Sequence, residues 1–180
     1  AEGVSPDFLC LAKGITGGYL PLSATLTTEE IYSVFLGEYG EFKAFFHGHT
    51  YTANPLACAA AIANLDVFAK RRTLSGLPAK IRLLRQGLDR IAQLEHVGDV
   101  RQVGLMAGIE LVSDRRTKAA YPLTQKRGAK VCLEARRYGV MLRPLGNVVV
   151  LMPPLSVTHA QIRRLLSVVE RCIVEVTRHD

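Results

Sequence analysis

The run Leu11-Ala12-Lys13-Gly14-Ile15-Thr16-Gly17-Gly18-Tyr19-Leu20-Pro21-Leu22 constrains this chain more than any other stretch of it. Asp7 to Ala12 is short and apolar, which predicts a buried strand. Lys13 stands at its C-terminal edge, and three glycines follow within five residues. Glycines so placed let the backbone turn sharply and approach a ligand closely. A lysine amine loses its charge when desolvated or set near another cation, and the neutral amine attacks an aldehyde to form an imine. Spacing alone is equally met by a lysine capping a strand edge beside a structural turn. A Walker-type phosphate loop is excluded, because that motif has glycine directly before the lysine and Ser or Thr directly after it.

Two further runs carry chemistry. In His47-Gly48-His49-Thr50-Tyr51-Thr52-Ala53-Asn54-Pro55, small and hydroxyl residues precede a helix start, where free amides and the macrodipole attract anions. Thr50 and neighbouring amides are candidates to hold a phosphate; a plain capping loop has the same pattern. His47 and His49 offer two imidazoles, but no third ligand cluster stands near them, so no metal site is expected. In Gly139-Val140-Met141-Leu142-Arg143-Pro144, an arginine ends an apolar strand. Its guanidinium fork suits a carboxylate, and a rim salt bridge explains it as well.

The remaining pattern alternates helices and strands. A second strand is predicted over Leu22 to Leu26. Thr27 with Glu30 reads as a capping box opening a helix to about Leu36. Phe42 to Phe46 reads as a strand or buried connector. Asn54 with Pro55 opens an alanine-rich helix to Ala69. Apolar residues at Ile81, Leu84, Leu88 and Ile91 mark an amphipathic helix from Leu77 to Gln93. Strands are expected at Val97 to Val103, Leu105 to Val112, Val140 to Arg143 and Val148 to Met152, with a helix from Gln125 to Tyr138 ended by Gly139. Thr158 with Gln161 caps a last helix. The fold class is therefore α/β, the end of a large α/β domain over 1–76 followed by an α+β module over 77–180.

Lys plus Arg outnumber Asp plus Glu by 23 to 16, a formal charge of +7 that invites an anionic partner. The arginines are scattered over three predicted helices with almost no aromatics between them, which argues against nucleic acid. Cys10, Cys58, Cys132 and Cys172 form no close pair, as expected of buried thiols in a reducing cytoplasm. The most apolar stretch, Pro55 to Ala69, is broken by Asn64 and Asp66 and is too short to span a bilayer. With no initiator Met and no signal peptide, the chain reads as a piece of something longer.

Taken in order, these runs resemble the class III, fold-type I pyridoxal-phosphate aminotransferases. The resemblance is carried by Pro6 through Leu22, then Phe45-Phe46-His47-Gly48-His49-Thr50-Tyr51, then Leu142-Arg143-Pro144 and Leu151-Met152-Pro153-Pro154. The wording of Thr16 through Leu22 with Thr25-Leu26-Thr27-Thr28 favours the biotin-pathway branch over ω-aminotransferases acting on ornithine, 4-aminobutyrate or similar amines. A non-catalytic binding or dimerisation module on the same fold is the alternative from outside enzymes.

The resemblance implies pyridoxal 5′-phosphate as cofactor and Lys13 as the lysine that bonds it and shuttles a proton. It implies that Thr50, with His49 alongside, occupies the cofactor-phosphate position supplied by the neighbouring subunit. Gly48 matches a substrate-contacting backbone position, and Arg143 matches the receiver of the oxo-acid carboxylate. A cytoplasmic homodimer with a shared site follows, acting on a small-molecule amino donor and an oxo-acid acceptor. Two departures bear on the donor and not on the cofactor. Val150 stands where many relatives using S-adenosylmethionine carry an aromatic residue, some others being thought to use lysine, and His49 stands where several carry proline. The family's N-terminal half supplies further cofactor contacts that do not lie in this sequence, so the chain alone is not expected to transaminate.

Overall fold

The computed structural model describes residues 3–178, which divide into two compact units, 3–72 and 73–178. In the first, β1 (Phe8–Ala12) and β2 (Ser23–Thr27) pair antiparallel, from Phe8 opposite Thr27 to Ala12 opposite Ser23. A short helix, α1 (Glu29–Ser33), follows. The hydroxyl of Thr28, not Thr27, accepts from the Ile31 amide and caps it. The long α2 (Pro55–Lys70) starts as its sequence predicts, with the Asn54 carbonyl oxygen accepting from the Leu56 and Ala57 amides at 3.0 and 3.1 Å.

Other expectations for this unit fail as well, among them a buried Cys10, which is exposed. β1 is exposed along its whole length, because it belongs to a two-stranded sheet with little packed over it. Periodicity reports a residue's affinity for an interior, not whether one is present. Phe42 to Phe46 is an exposed loop after a 3₁₀ turn at Tyr39–Glu41. Its rings pack on one another and on Phe35, with Phe35 and Phe45 centroids 5.3 Å apart. Among the described residues of this unit, Thr16, Ala57 and Ala61 alone are buried.

The second unit has a full core. Its elements are α3 (Leu77–Ile91), β3 (Val97–Val103), β4 (Met106–Asp114), β5 (Ala119–Ala120), α4 (Arg127–Arg137), β6 (Arg143–Leu145), β7 (Val148–Leu151) and α5 (His159–Thr177). The sheet order is β3-β4-β7-β6 with β5 added beside β4, and every pairing is antiparallel. Alternation directs Ala107, Ile109, Leu111, Val149 and Leu151 inward, where they meet Leu84 and Leu88 of α3, Val131 of α4 and Ile162 and Ile173 of α5. The closeness of α3 to α5 depends on Gly87, since a Cβ there would overlap the side chain of Leu166.

β6 begins later than its sequence suggests. After α4, the Gly139 amide donates to the Arg136 carbonyl and the Val140 amide to the Ala135 carbonyl, a paired closure that occupies the residues expected to open the strand. Thr158 and Gln161 form the expected reciprocal cap of α5. No helix among the described residues is long and apolar enough to cross a membrane.

Candidate functional site

Lys13 leaves β1 with a positive φ of 51°, a conformation that costs a side-chain-bearing residue roughly 1 kcal/mol and swings the chain out of the strand direction. It opens a 3₁₀ turn, Lys13–Thr16, closed by Gly17 and Gly18 at φ 63° and 84°. Two side chains fasten this loop. The buried Thr16 hydroxyl donates to the Leu20 carbonyl at 2.6 Å. From α2, the Asn64 amide donates to the carbonyls of Gly14 and Ile15 at 2.9 and 3.1 Å. A Cβ on Gly17 would lie 3.2 Å from the Asn64 carbonyl oxygen, so the glycine permits both the turn and the approach of the helix.

The loop carbonyls are thereby engaged within the loop or by α2. Among the described residues the Lys13 amine, which is exposed, has no hydrogen-bond or ion-pair partner. An unencumbered primary amine on a fastened backbone fits a group that presents an aldehyde.

The turn before α2 has a different character. The His49 amide donates to the Thr52 hydroxyl, the Tyr51 amide to His49 Nδ1, and the Thr52 amide to the His49 carbonyl. Because His49 Nδ1 accepts, the proton of the neutral ring resides on Nε2. Asn54 consumes the first amides of α2, so the helix end itself offers an anion less than its position suggests. At Thr50, among the described residues, neither the amide nor the hydroxyl is engaged, leaving two donors of one residue directed at no protein group. That donor set fits a phosphate oxygen. Gly48 exposes its backbone, with the Thr52 hydroxyl 3.7 Å from where its Cβ would be. Among the described residues no cluster of three or more His, Cys, Asp or Glu suits a metal.

Lys13, Gly48, His49 and Thr50 belong to the first unit and Arg143 to the second. Within the first unit, the lysine loop is held by Asn64, ten residues along α2 from Asn54 and therefore about 15 Å along the helix axis. Thr50 lies off the N-terminal end of that helix. Arg143 opens β6, is exposed, and has no ion-pair partner among the described residues. Cys132 and Cys172 lie in the core of the second unit. Burial pushes both thiols up to about 11, which leaves them protonated and inert at neutral pH.

Sequence reading passed over Asn64 and Thr16. Asn64 had one signal, a polar residue interrupting an alanine-rich helix; Thr16 had none beyond its place between glycines.

The chain belongs to the class III aminotransferases: the family's sequence profile matches residues 1–173. It is 58% identical to the adenosylmethionine-8-amino-7-oxononanoate aminotransferase of Nitratidesulfovibrio vulgaris, over 99% of this chain and 33% of that protein. To the protein of the same name from Geobacter sulfurreducens it is 54% identical, over 98% of this chain and 39% of that one. The crystal structure of such an enzyme from Methanocaldococcus jannaschii superposes with a TM-score of 0.89 at 51% identity, covering 95% of this chain and 39% of the other. An amine transaminase from an uncultivated Pseudomonas species, solved in its PLP-bound form, superposes at 0.85 with 40% identity over 97% and 39%. The chain thus spans between a third and two fifths of the length of these relatives.

Proposed function

We propose that this chain is the C-terminal part of a pyridoxal-phosphate-dependent aminotransferase that converts 8-amino-7-oxononanoate to 7,8-diaminononanoate in biotin biosynthesis. The amino donor is S-adenosylmethionine or lysine. The carrying observation is the free Lys13 amine on a loop fastened by Thr16 and Asn64, in a chain 58% identical to a protein of that name. In this reading residues 1–76 close the cofactor-binding large domain and 77–180 form the small domain.

Pyridoxal 5′-phosphate, when bound, supplies an aldehyde to receive an amine and a conjugated ring that withdraws electrons from the substrate carbon. Lys13 bonds that aldehyde and, when displaced, holds and returns a proton at Nζ. Thr50 donates its hydroxyl and amide hydrogens to phosphate oxygens, with His49 Nε2 as a neighbouring donor. Gly48 brings bare backbone to the substrate, and Arg143 receives the acid's carboxylate in its fork. The separation of the lysine loop from Thr50 along α2 favours a homodimer in which one copy's Thr50 serves the other's Lys13. A cytoplasmic enzyme without nucleic-acid or membrane partners is consistent with the scattered arginines and unpaired cysteines.

Borohydride reduction of the cofactor-loaded complete enzyme, followed by peptide mass mapping, is expected to place the label on Lys13, and Lys13→Ala to abolish both label and turnover. Label elsewhere ends the proposal. The likeness to ω-transaminases, such as one from Thermomicrobium roseum with TM-score 0.88 at 35% identity, supports a second reading as an ω-aminotransferase of other specificity. Comparing 8-amino-7-oxononanoate with carbonyl acceptors of the ornithine and 4-aminobutyrate type separates the two.

A further inference from the structure

The strand that carries Arg143 is short and marginal in the sheet. Among the described residues β6 pairs with β7 alone, through Arg143 opposite Val150, Pro144 opposite Val149 and Leu145 opposite Val148. Pro144 has no amide to give a further strand, which suits an edge. Arg143 is exposed and has no ion-pair partner among the described residues, so no contact of its own guanidinium fixes where that group stands. Its aim is set by the backbone of β6.

That backbone is anchored at both ends. Leu142, partly buried, packs on the core before Arg143. Beyond Leu145 comes the two-residue turn Gly146-Asn147, with Gly146 at φ 58°, as hairpin turns that lead with glycine require. Three contacts hold this turn. The Asn147 side-chain amide donates to the Tyr121 carbonyl at 2.7 Å, and the Asn147 backbone carbonyl accepts from the Leu111 amide at 3.0 Å. The Gly146 carbonyl lies so close to Gly128 of α4 that a Cβ there would overlap it. Tyr121 is itself immobilised: it is 4% exposed, its hydroxyl stands 2.8 Å from His96 Nδ1, and the Arg127 guanidinium lies over its ring, 5.1 Å from the centroid.

Asn147 occupies this place at a cost. Its Oδ1 is buried and has no hydrogen-bond partner among the described residues, and an acceptor left so is destabilising. Only the Nδ2 half of the amide is used, and what it fastens is the end of Arg143's strand.

Resting on the reading of Arg143 as a carboxylate receiver, we infer that Asn147 is a positioning residue for Arg143. By tying the β6–β7 turn to Tyr121, it fixes the place from which the guanidinium meets the anionic group of a substrate.

The test uses the complete, cofactor-loaded enzyme with 8-amino-7-oxononanoate and its terminal carboxamide, which have nearly the same shape and differ in charge at the far end. The ratio of kcat/KM for acid over amide reads the grip of Arg143, whereas a merely structural loss lowers both alike. Asn147→Ala is expected to cut that ratio roughly three- to tenfold, the worth of one hydrogen bond, through KM and with kcat within about twofold of wild type. Asn147→Ser, a milder truncation, gives the same direction of change if the alanine variant does not fold. Arg143→Gln cuts the ratio roughly ten- to a hundredfold, and adding Asn147→Ala to it lowers the ratio no further. An unchanged ratio in the Asn147 variants, or a further fall in the double variant, overturns the positioning role and leaves Arg143's role standing. A ratio that Arg143→Gln leaves unchanged overturns the carboxylate reading itself.

Discussion

Arg143 and Val150 are direct cross-strand partners in the β6–β7 pair. The position proposed to hold the acid's carboxylate therefore borders the position at which relatives differ with their amino donor. Val150 is a short aliphatic neighbour beside an exposed guanidinium.

Val150→Tyr is expected to add an aromatic face beside Arg143. One such contact, worth about 1 kcal/mol, raises the ratio of kcat/KM for S-adenosylmethionine over lysine roughly fivefold. Steady-state assays of the complete enzyme with each donor check this, and an unchanged ratio removes Val150 from donor choice.

Asn64 is a positioning residue for the lysine loop through its two donated hydrogen bonds. Asn64→Leu leaves two loop carbonyls without their donor and is expected to cost about 1–3 kcal/mol locally. Faster amide exchange at Gly17 and Gly18 is the readout. Asn64→Asp should be worse, since a carboxylate would then face the carbonyls of Gly14 and Ile15.

Gly87→Ala is expected to destabilise the second unit by about 1–3 kcal/mol, because the added methyl overlaps Leu166 and must separate α3 from α5. Thermal denaturation measures this. Leu166→Val in the same chain should recover part of the loss by withdrawing the overlapping carbons.

Asp114 accepts from the amides of Thr117 and Arg116, bonds that hold its carboxyl below the usual aspartate range. A group whose folded pKa lies below its unfolded value stabilises fully above the unfolded pKa and loses that contribution as pH falls through the folded one. The turn after β4 should therefore loosen on the acid side alone, and Asp114→Asn should remove that dependence. Carboxyl carbon NMR titration follows it directly, with a midpoint at or above the ordinary value counting against the assignment.

Where the chain's own residues decide a feature, sequence sufficed. The Asn54–Pro55 start of α2, the Thr158–Gln161 cap of α5 and the alternation in β4 and β7 need no information from elsewhere in the fold. Features decided by partners were not readable. The choice of Thr28 over Thr27 rests on backbone geometry two equal hydroxyls cannot announce. The late start of β6 reflects the closing bonds of α4, and the exposure of β1 reflects what lies beside it. The lysine loop was recognisable from its glycines, but its fastening was not, because Asn64 reaches Gly14 across 50 residues and no local pattern encodes that contact.

The uneven placement of buried side chains also predicts how the chain tolerates change. Apart from Thr16, Ala57 and Ala61, every buried residue among those described lies in residues 73–178, so a deep mutational scan there should chiefly record damage to folding. In residues 3–72 of this chain by itself a substitution meets little interior to disturb, so intolerance there in the complete protein would report chemistry or packing against the rest of it.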